Sequence, residues 1–304
     1  MAEAAQRFGT EAGTLGSRVS TSRWRGVLHM LRRYPVLPAA IMVMLIVSSV
    51  FAPLLTVHDP IRDTDFANSW RPPLWRAEDG NHIFGTDKLG RDIYTRVIYG
   101  GRVSLMVAGI ALASGVLVGT TLGLVAGYLG GHVDEIIMRL VDVWIALPFI
   151  MVALVIAIVL GKSYGVMFLL LALVAWVTFV RPVRGEVLSL RTREYVSFAR
   201  IAGASTPRIL LRHILPGVIN TVIVLATLRA GGLVLTESVL SFLGVGIPAP
   251  TPTWGGMVAD GRSVLDLAWW VATIPGAAIF LLVMSLNFLG DWFRDHFDPR
   301  LRQL

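Results

Sequence analysis

Apolar residues in this chain gather into long runs instead of the narrow stripes that mark a half-buried helix or strand. The runs cover residues 36–57, 103–128, 143–160, 164–180, 217–243 and 267–290. Each is close to or above the roughly 18–20 residues that carry a helix across the hydrocarbon of a bilayer. The second is uncharged and glycine-rich, the third contains Pro148, and the sixth contains Pro275. The fourth stops at Arg181, whose long side chain can reach the interface. The fifth is interrupted by Arg229 and Glu237. Counting it as a crossing gives six and returns both ends to one side. Arginines then concentrate on that side, at 7–33, 139, 181–212 and 294–302, as the positive-inside rule requires. The expected fold is an all-α membrane protein with six transmembrane helices and both termini cytoplasmic.

Composition agrees with this pattern. Mean hydropathy is +0.67 and only 15% of residues are charged, against about a quarter in soluble domains. The net charge of +7 does not point to nucleic acid, because the basic residues flank apolar runs and do not cover a compact domain. With no cysteine, disulfides and thiolate metal or redox sites are excluded. The expected organisation is a polar, largely unstructured cytoplasmic tail at 1–34, a transmembrane domain at 35–292 and a cytoplasmic tail at 293–304. Within the domain lie an outer loop, 58–102, and a cytoplasmic loop, 181–216. No small-residue cleavage site follows the first run, so 36–57 reads as a retained span.

The cytoplasmic loop carries the richest pattern, REYVSFARIAGASTPRILLRHILP at residues 193–216. Thr192 is placed to cap a helix with Tyr195, Phe198 and Ala202 on one stripe, and Gly203 stands where a left-handed helix end is expected. Thr206 reads as the cap of a second helix with Pro207 at its first position, and Arg208 and Arg212 project together at i and i+4. Pro216 ends this helix or bends it into the fifth run. Small residues Ala202, Gly203, Ala204 and Ser205 would let another backbone approach closely, beside basic side chains. From these residues alone two readings stand, a docking knob and an ordinary loop whose arginines set topology.

The segment resembles the EAA loop of the membrane subunits of ABC importers: Glu-Ala-Ala, three residues, Gly, nine residues, Ile, any residue, Leu-Pro. Ser197, Phe198 and Ala199 take the opening triplet, of which Ala199 alone matches. Gly203 takes the glycine, His213 the isoleucine position, and Leu215 and Pro216 the end. His213 is similar to the version in the dipeptide, oligopeptide and nickel branch. HIFGTDKLGRDIYTRVIYGGRVSL at 82–105 resembles the HxxGTDxxGRDxxSR segment of the C-type permease of peptide importers, with Thr95 at the serine position. TESVLSFLGVGIPAPTPTWGGM at 236–257 and NFLGDWFRDHFDPRLR at 287–302 resemble two further segments of that family. The resemblance implies a type I ABC importer fold and transport of dipeptides or oligopeptides, with nickel chelates or other solutes as the alternative. It implies a second homologous permease, two ATP-binding subunits docked on the loop, and an extracytoplasmic substrate-binding protein. ATP and Mg would sit on the partners and none on this chain, within the lipid of the bacterial inner membrane. The ATPase-coupling set it suggests is Ala199, Ala202, Gly203, Ala204, Ser205, Arg208, Arg212, His213, Leu215 and Pro216.

Arg229 and Glu237 lie where ionisable groups are costly and turn toward protein or water. They either line the translocation path or pair with neighbouring helices. Glu135 and Arg139 sit at i and i+4 in the short loop after the second run, as a holding pair or as a second ATPase contact. His132 and His213 lack partners at ligand spacing, so no metal is expected. Gly161, Lys162 and Ser163 match the last residues of a phosphate-binding loop, but Ile156 stands where its first glycine belongs. No catalytic arrangement is present, which disfavours an intramembrane enzyme. An ion-coupled secondary transporter would place several polar groups at mid-membrane and carry inverted repeats, and neither is evident.

Overall fold

The computed structural model describes residues 35–74 and 82–297. The expected tail 1–34 and nearly all of the C-terminal tail fall outside them, as do residues 75–81 of the outer loop. The described residues are helical apart from connecting segments and one isolated bridge between Thr86 and Asp92. Helix α1 spans Val36–Val50 and α2 Ala52–Leu55, with a short 3-10 turn at Phe66–Asn68. Then come α3 (Ile93–Leu129), α4 (Gly131–Ala146), α5 (Phe149–Leu160), α6 (Tyr164–Ala175) and α7 (Val177–Leu190). Helices α8 (Glu194–Ile201) and α9 (Thr206–Ile209) form the loop. Last are α10 (Leu215–Phe242), α11 (Trp254–Gly261), α12 (Leu265–Ala268) and α13 (Trp270–Phe297).

Four continuous helices are long and apolar enough to cross a bilayer: 93–129, 164–190, 206–242 and 270–296. The third expected run is not one straight span. Its helices α4 and α5 meet at 85°, because Pro148 holds Leu147 extended (φ −83°, ψ 129°) and stops the helix at Ala146. Counting that bent pair as one crossing gives five, and α1 contributes a shorter apolar helix of 15 residues.

Helix α3 is the spine, and a row of glycines on one face decides what it packs against. At Gly115, Gly119, Gly123 and Gly127 a β-carbon would come within 2.2–2.8 Å of Ala175, Trp176, Val180, Val183 or Val187. The four-residue repeat puts all four on one stripe, so α3 lies nearly backbone to backbone against α6 and α7. Helices α10 and α13 close the other side, with Leu233, Val234, Ala278 and Leu282 buried between them and α3.

The segment before α3 is built by the GTDKLGRD residues. Asp92 caps the helix, accepting from the Thr95 amide and the Thr95 hydroxyl, both at 2.8 Å, so threonine serves where serine is usual. Asp87 accepts from the amides of Leu89 and Arg91 and from Arg91 Nε at 2.8 Å. Trp270 Nε1 donates to the Thr86 carbonyl and anchors this cap to the start of α13. At the edge of the cap Asp59 accepts from the Arg62 and Ile61 amides, which hold its carboxyl below the usual carboxylate range.

Candidate coupling loop and translocation surface

The loop at 191–216 is a packed structure fixed to the ends of α3 and α7. Val196, Ile209 and Ile214 are buried against Leu124, Val183, Val187 and Val218. Arg191 donates to the Gly127 carbonyl at 2.9 Å, and the Arg200 guanidinium lies 5.7 Å from the Tyr128 ring centre. Two of the loop's arginines therefore tie it to the end of α3.

Gly203 ends α8 as expected. Its φ is +77°; its amide donates to the Arg200 carbonyl and that of Ala204 to Ala199, each at 3.0 Å. This paired pattern is a Schellman end, with Ala199 and Ala204 closing it against the core. Nothing crowds the space where a side chain at 203 would stand, so the requirement for glycine comes from the backbone alone.

Three expectations about the loop are corrected. Thr192 does not cap α8: its hydroxyl donates to Ser189, and Arg193 stands at the cap with no side-chain bond. Ser205 stands at the cap of α9, one residue before Thr206, and Pro207 occupies the second helical position. Arg208 and Arg212 do not share one regular α-helix, because residues Leu210–Ile214 form a π turn in which the Leu215 amide donates to Leu210. Pro216, which has no amide to give Arg212, explains that turn: the wider register just before it absorbs the missing bond and the ring. The loop's second helix therefore runs on into the membrane as one helix from Thr206 to Phe242.

Of the coupling set, Ala202, Gly203, Ser205, Arg208, Arg212 and Pro216 are exposed, while Ala199, Ala204, His213 and Leu215 are partly covered. Residues outside that set dominate the surface. Tyr195, Phe198 and Ile201 are 45%, 66% and 83% exposed on one face of α8, and the opposite face buries Val196. The stripe expected at Tyr195, Phe198 and Ala202 thus faces away from the protein, leaving an apolar patch between arginines.

Within the membrane, Arg229 and Glu237 are separated by the packing of α10. Arg229 is exposed, makes no ion pair or hydrogen bond among the described residues, and borders a pocket of about 410 Å³ with Trp144, Leu147, Phe149 and Arg181. That pocket lies in the elbow between α4 and α5. Glu237 is fully enclosed and accepts from the Ser241 hydroxyl at 2.7 Å. It faces no open path in this structure. The pair expected at Glu135 and Arg139 gives way to others: Asp134 with Arg184 and Asp142 with Arg181 clamp α4 to α7. No metal-binding cluster occurs among the described residues.

Residues 119–303 match the family described as binding-protein-dependent transport system inner membrane component. The chain belongs to this family. The dipeptide transport system permease protein DppC of Alkalihalophilus pseudofirmus is 38% identical over 285 residues, 93% of this chain and 92% of that protein. The oligopeptide transport system permease protein OppC of Bacillus subtilis is 34% identical over 94% of this chain and 93% of its own length. In fold, the chain is similar to a subunit of the inward-facing MetNI methionine ABC transporter, with a TM-score of 0.55 and 17% identity over 66% of this chain and 96% of that one. Membership makes the chain a multi-pass membrane subunit of an ABC importer. Sequence reasoning missed the outward turn of Tyr195, Phe198 and Ile201. The available signal was apolar residues at 195, 196, 198 and 201, too many for one face of an eight-residue helix.

Proposed function

We propose that this chain is one of two homologous permease subunits of an ATP-driven importer of dipeptides or oligopeptides in the bacterial inner membrane. It crosses the bilayer six times with both termini in the cytoplasm. Its tails and loops divide at 1–34, 58–102, 181–216 and 293–304. An extracytoplasmic binding protein delivers substrate, and two partner ATPases hydrolyse ATP with Mg. The loop from Ala199 to Pro216 receives one ATPase, and Arg229 lines the path.

One observation carries the coupling assignment: a rigid knob exposes Tyr195, Phe198 and Ile201 beside Arg208 and Arg212, and its second helix is continuous with a 37-residue span. An apolar patch rimmed by cations fits a protein partner. Displacement of α9 by a closing ATPase would pass directly into α10, since no flexible joint intervenes. The resting arrangement and the driven one then differ by movement of whole helices.

Phe198→Asp tests the assignment. Its side chain is two-thirds exposed, so insertion and abundance should be retained. ATPase co-purification should fall at least about tenfold, as for loss of a buried aromatic anchor, and ATP-dependent uptake should fall with it. Normal co-purification with normal uptake would remove the docking role.

A further inference from the structure

At the end of the bundle opposite the coupling loop, the turn between α5 and α6, the cap before α3 and the loop between α10 and α11 enclose a pocket of about 460 Å³. Four cationic side chains line it, Lys88, Arg91, Arg96 and Lys162, against one lining carboxylate, Asp260. Lys88 is engaged with Asp260 at 3.1 Å. Arg91 and Arg96 share Asp87, at 2.7 and 3.6 Å, and Arg96 also donates to the Pro60 carbonyl at 3.0 Å. Lys162 is exposed and has no hydrogen bond or ion pair among the described residues. Its ammonium leans across to the α10–α11 loop, 4.0 Å from where a β-carbon on Gly244 would stand. Lys88, Arg91 and Arg96 are held in place by two carboxylates, Asp260 and Asp87, so the four cations of the pocket outnumber the acids beside them.

We infer that this pocket seats an acidic side chain on the surface of the external substrate-binding protein. The inference rests on the importer reading above and names where, and by what chemistry, that partner engages this chain. Fixed cations in a recess attract an anion without reorganising, and they raise the rate of encounter as well as the affinity. The occupant is a protein side chain and not the peptide itself, because both nearby carboxylates are already committed. A zwitterionic peptide would leave its ammonium facing Lys162 with no acid to meet it. The pocket wall supports the same occupant: Pro248, Ala249 and Pro250 are exposed, giving a stiff rim for another protein to rest against.

The test is the affinity of the binding protein for the complete importer, both permeases and both ATPases, in lipid nanodiscs. Lys162→Glu should raise the dissociation constant by about tenfold at low salt, with a smaller rise for Lys162→Gln, and added salt should narrow both gaps. Lys162 is exposed and unpaired, so neither variant disturbs packing, and equal recovery of assembled complex checks this. Unchanged affinity for both variants would overturn the pocket assignment while leaving the importer reading intact. Unchanged affinity with reduced peptide uptake would give the pocket to the substrate's carboxylate and overturn the inference. If the wild-type importer bound no substrate-binding protein and took up no peptide, the functional reading itself would fall.

Discussion

Glu237 is enclosed because the serine one turn later, Ser241, brings its hydroxyl to 2.7 Å, and α3 and α11 close over the same face of α10. Arg229, about 12 Å away along the helix axis, meets none of those neighbours and points toward the α4–α5 elbow. Both are charged residues in an apolar run, and their spacing alone assigns neither role. We expect Arg229→Ala to lower peptide uptake on the order of tenfold, the loss of a charge-assisted contact, with membrane abundance unchanged. Uptake equal to wild type would remove Arg229 from the path. Gly203 differs in being readable without neighbours, because a positive φ after a capped helix is a local demand.

Helix α3 shows what element boundaries depend on. Hydropathy starts the second span at 103, yet the helix begins at Ile93, because Asp92 caps it and Thr95, Arg96 and their neighbours find partners in the segment before it. Those ten residues are too polar for a hydropathy rule to include. The glycines at 115, 119, 123 and 127 read in the sequence as a glycine-rich run, and only the partner helix reveals them as a contact surface. Gly119→Leu would force side-chain atoms into the Trp176 carbonyl, since even a β-carbon would lie 2.2 Å from it. Overpacking of this kind costs about 1–3 kcal/mol. The purified protein should melt at lower temperature in detergent, whereas Gly109→Leu, at a glycine with open space beside it, should melt like wild type. Equal melting of both variants would show that α3 and α7 do not approach as closely as described.

For the whole molecule, orientation follows from which end meets ATP. The chain has no cysteine, so single introduced thiols report sidedness without background. With a membrane-impermeant maleimide on intact cells, Ala249→Cys should label and Ser205→Cys should not, and both should label after permeabilisation. The reverse pattern would invert the proposed topology. The sequence by itself determined that this is a helical membrane protein with a patterned basic loop, because transfer of apolar residues into lipid and the termination of a helix by glycine are local effects that add along the chain. Only the tertiary structure decided which face of α8 turns outward, which charge of α10 is enclosed, and that Lys88, Arg91, Arg96 and Lys162 meet in one pocket. Those outcomes depend on residues far apart in the chain, such as Lys88 donating to Asp260 across 172 positions, and no local rule contains the identity of a distant neighbour.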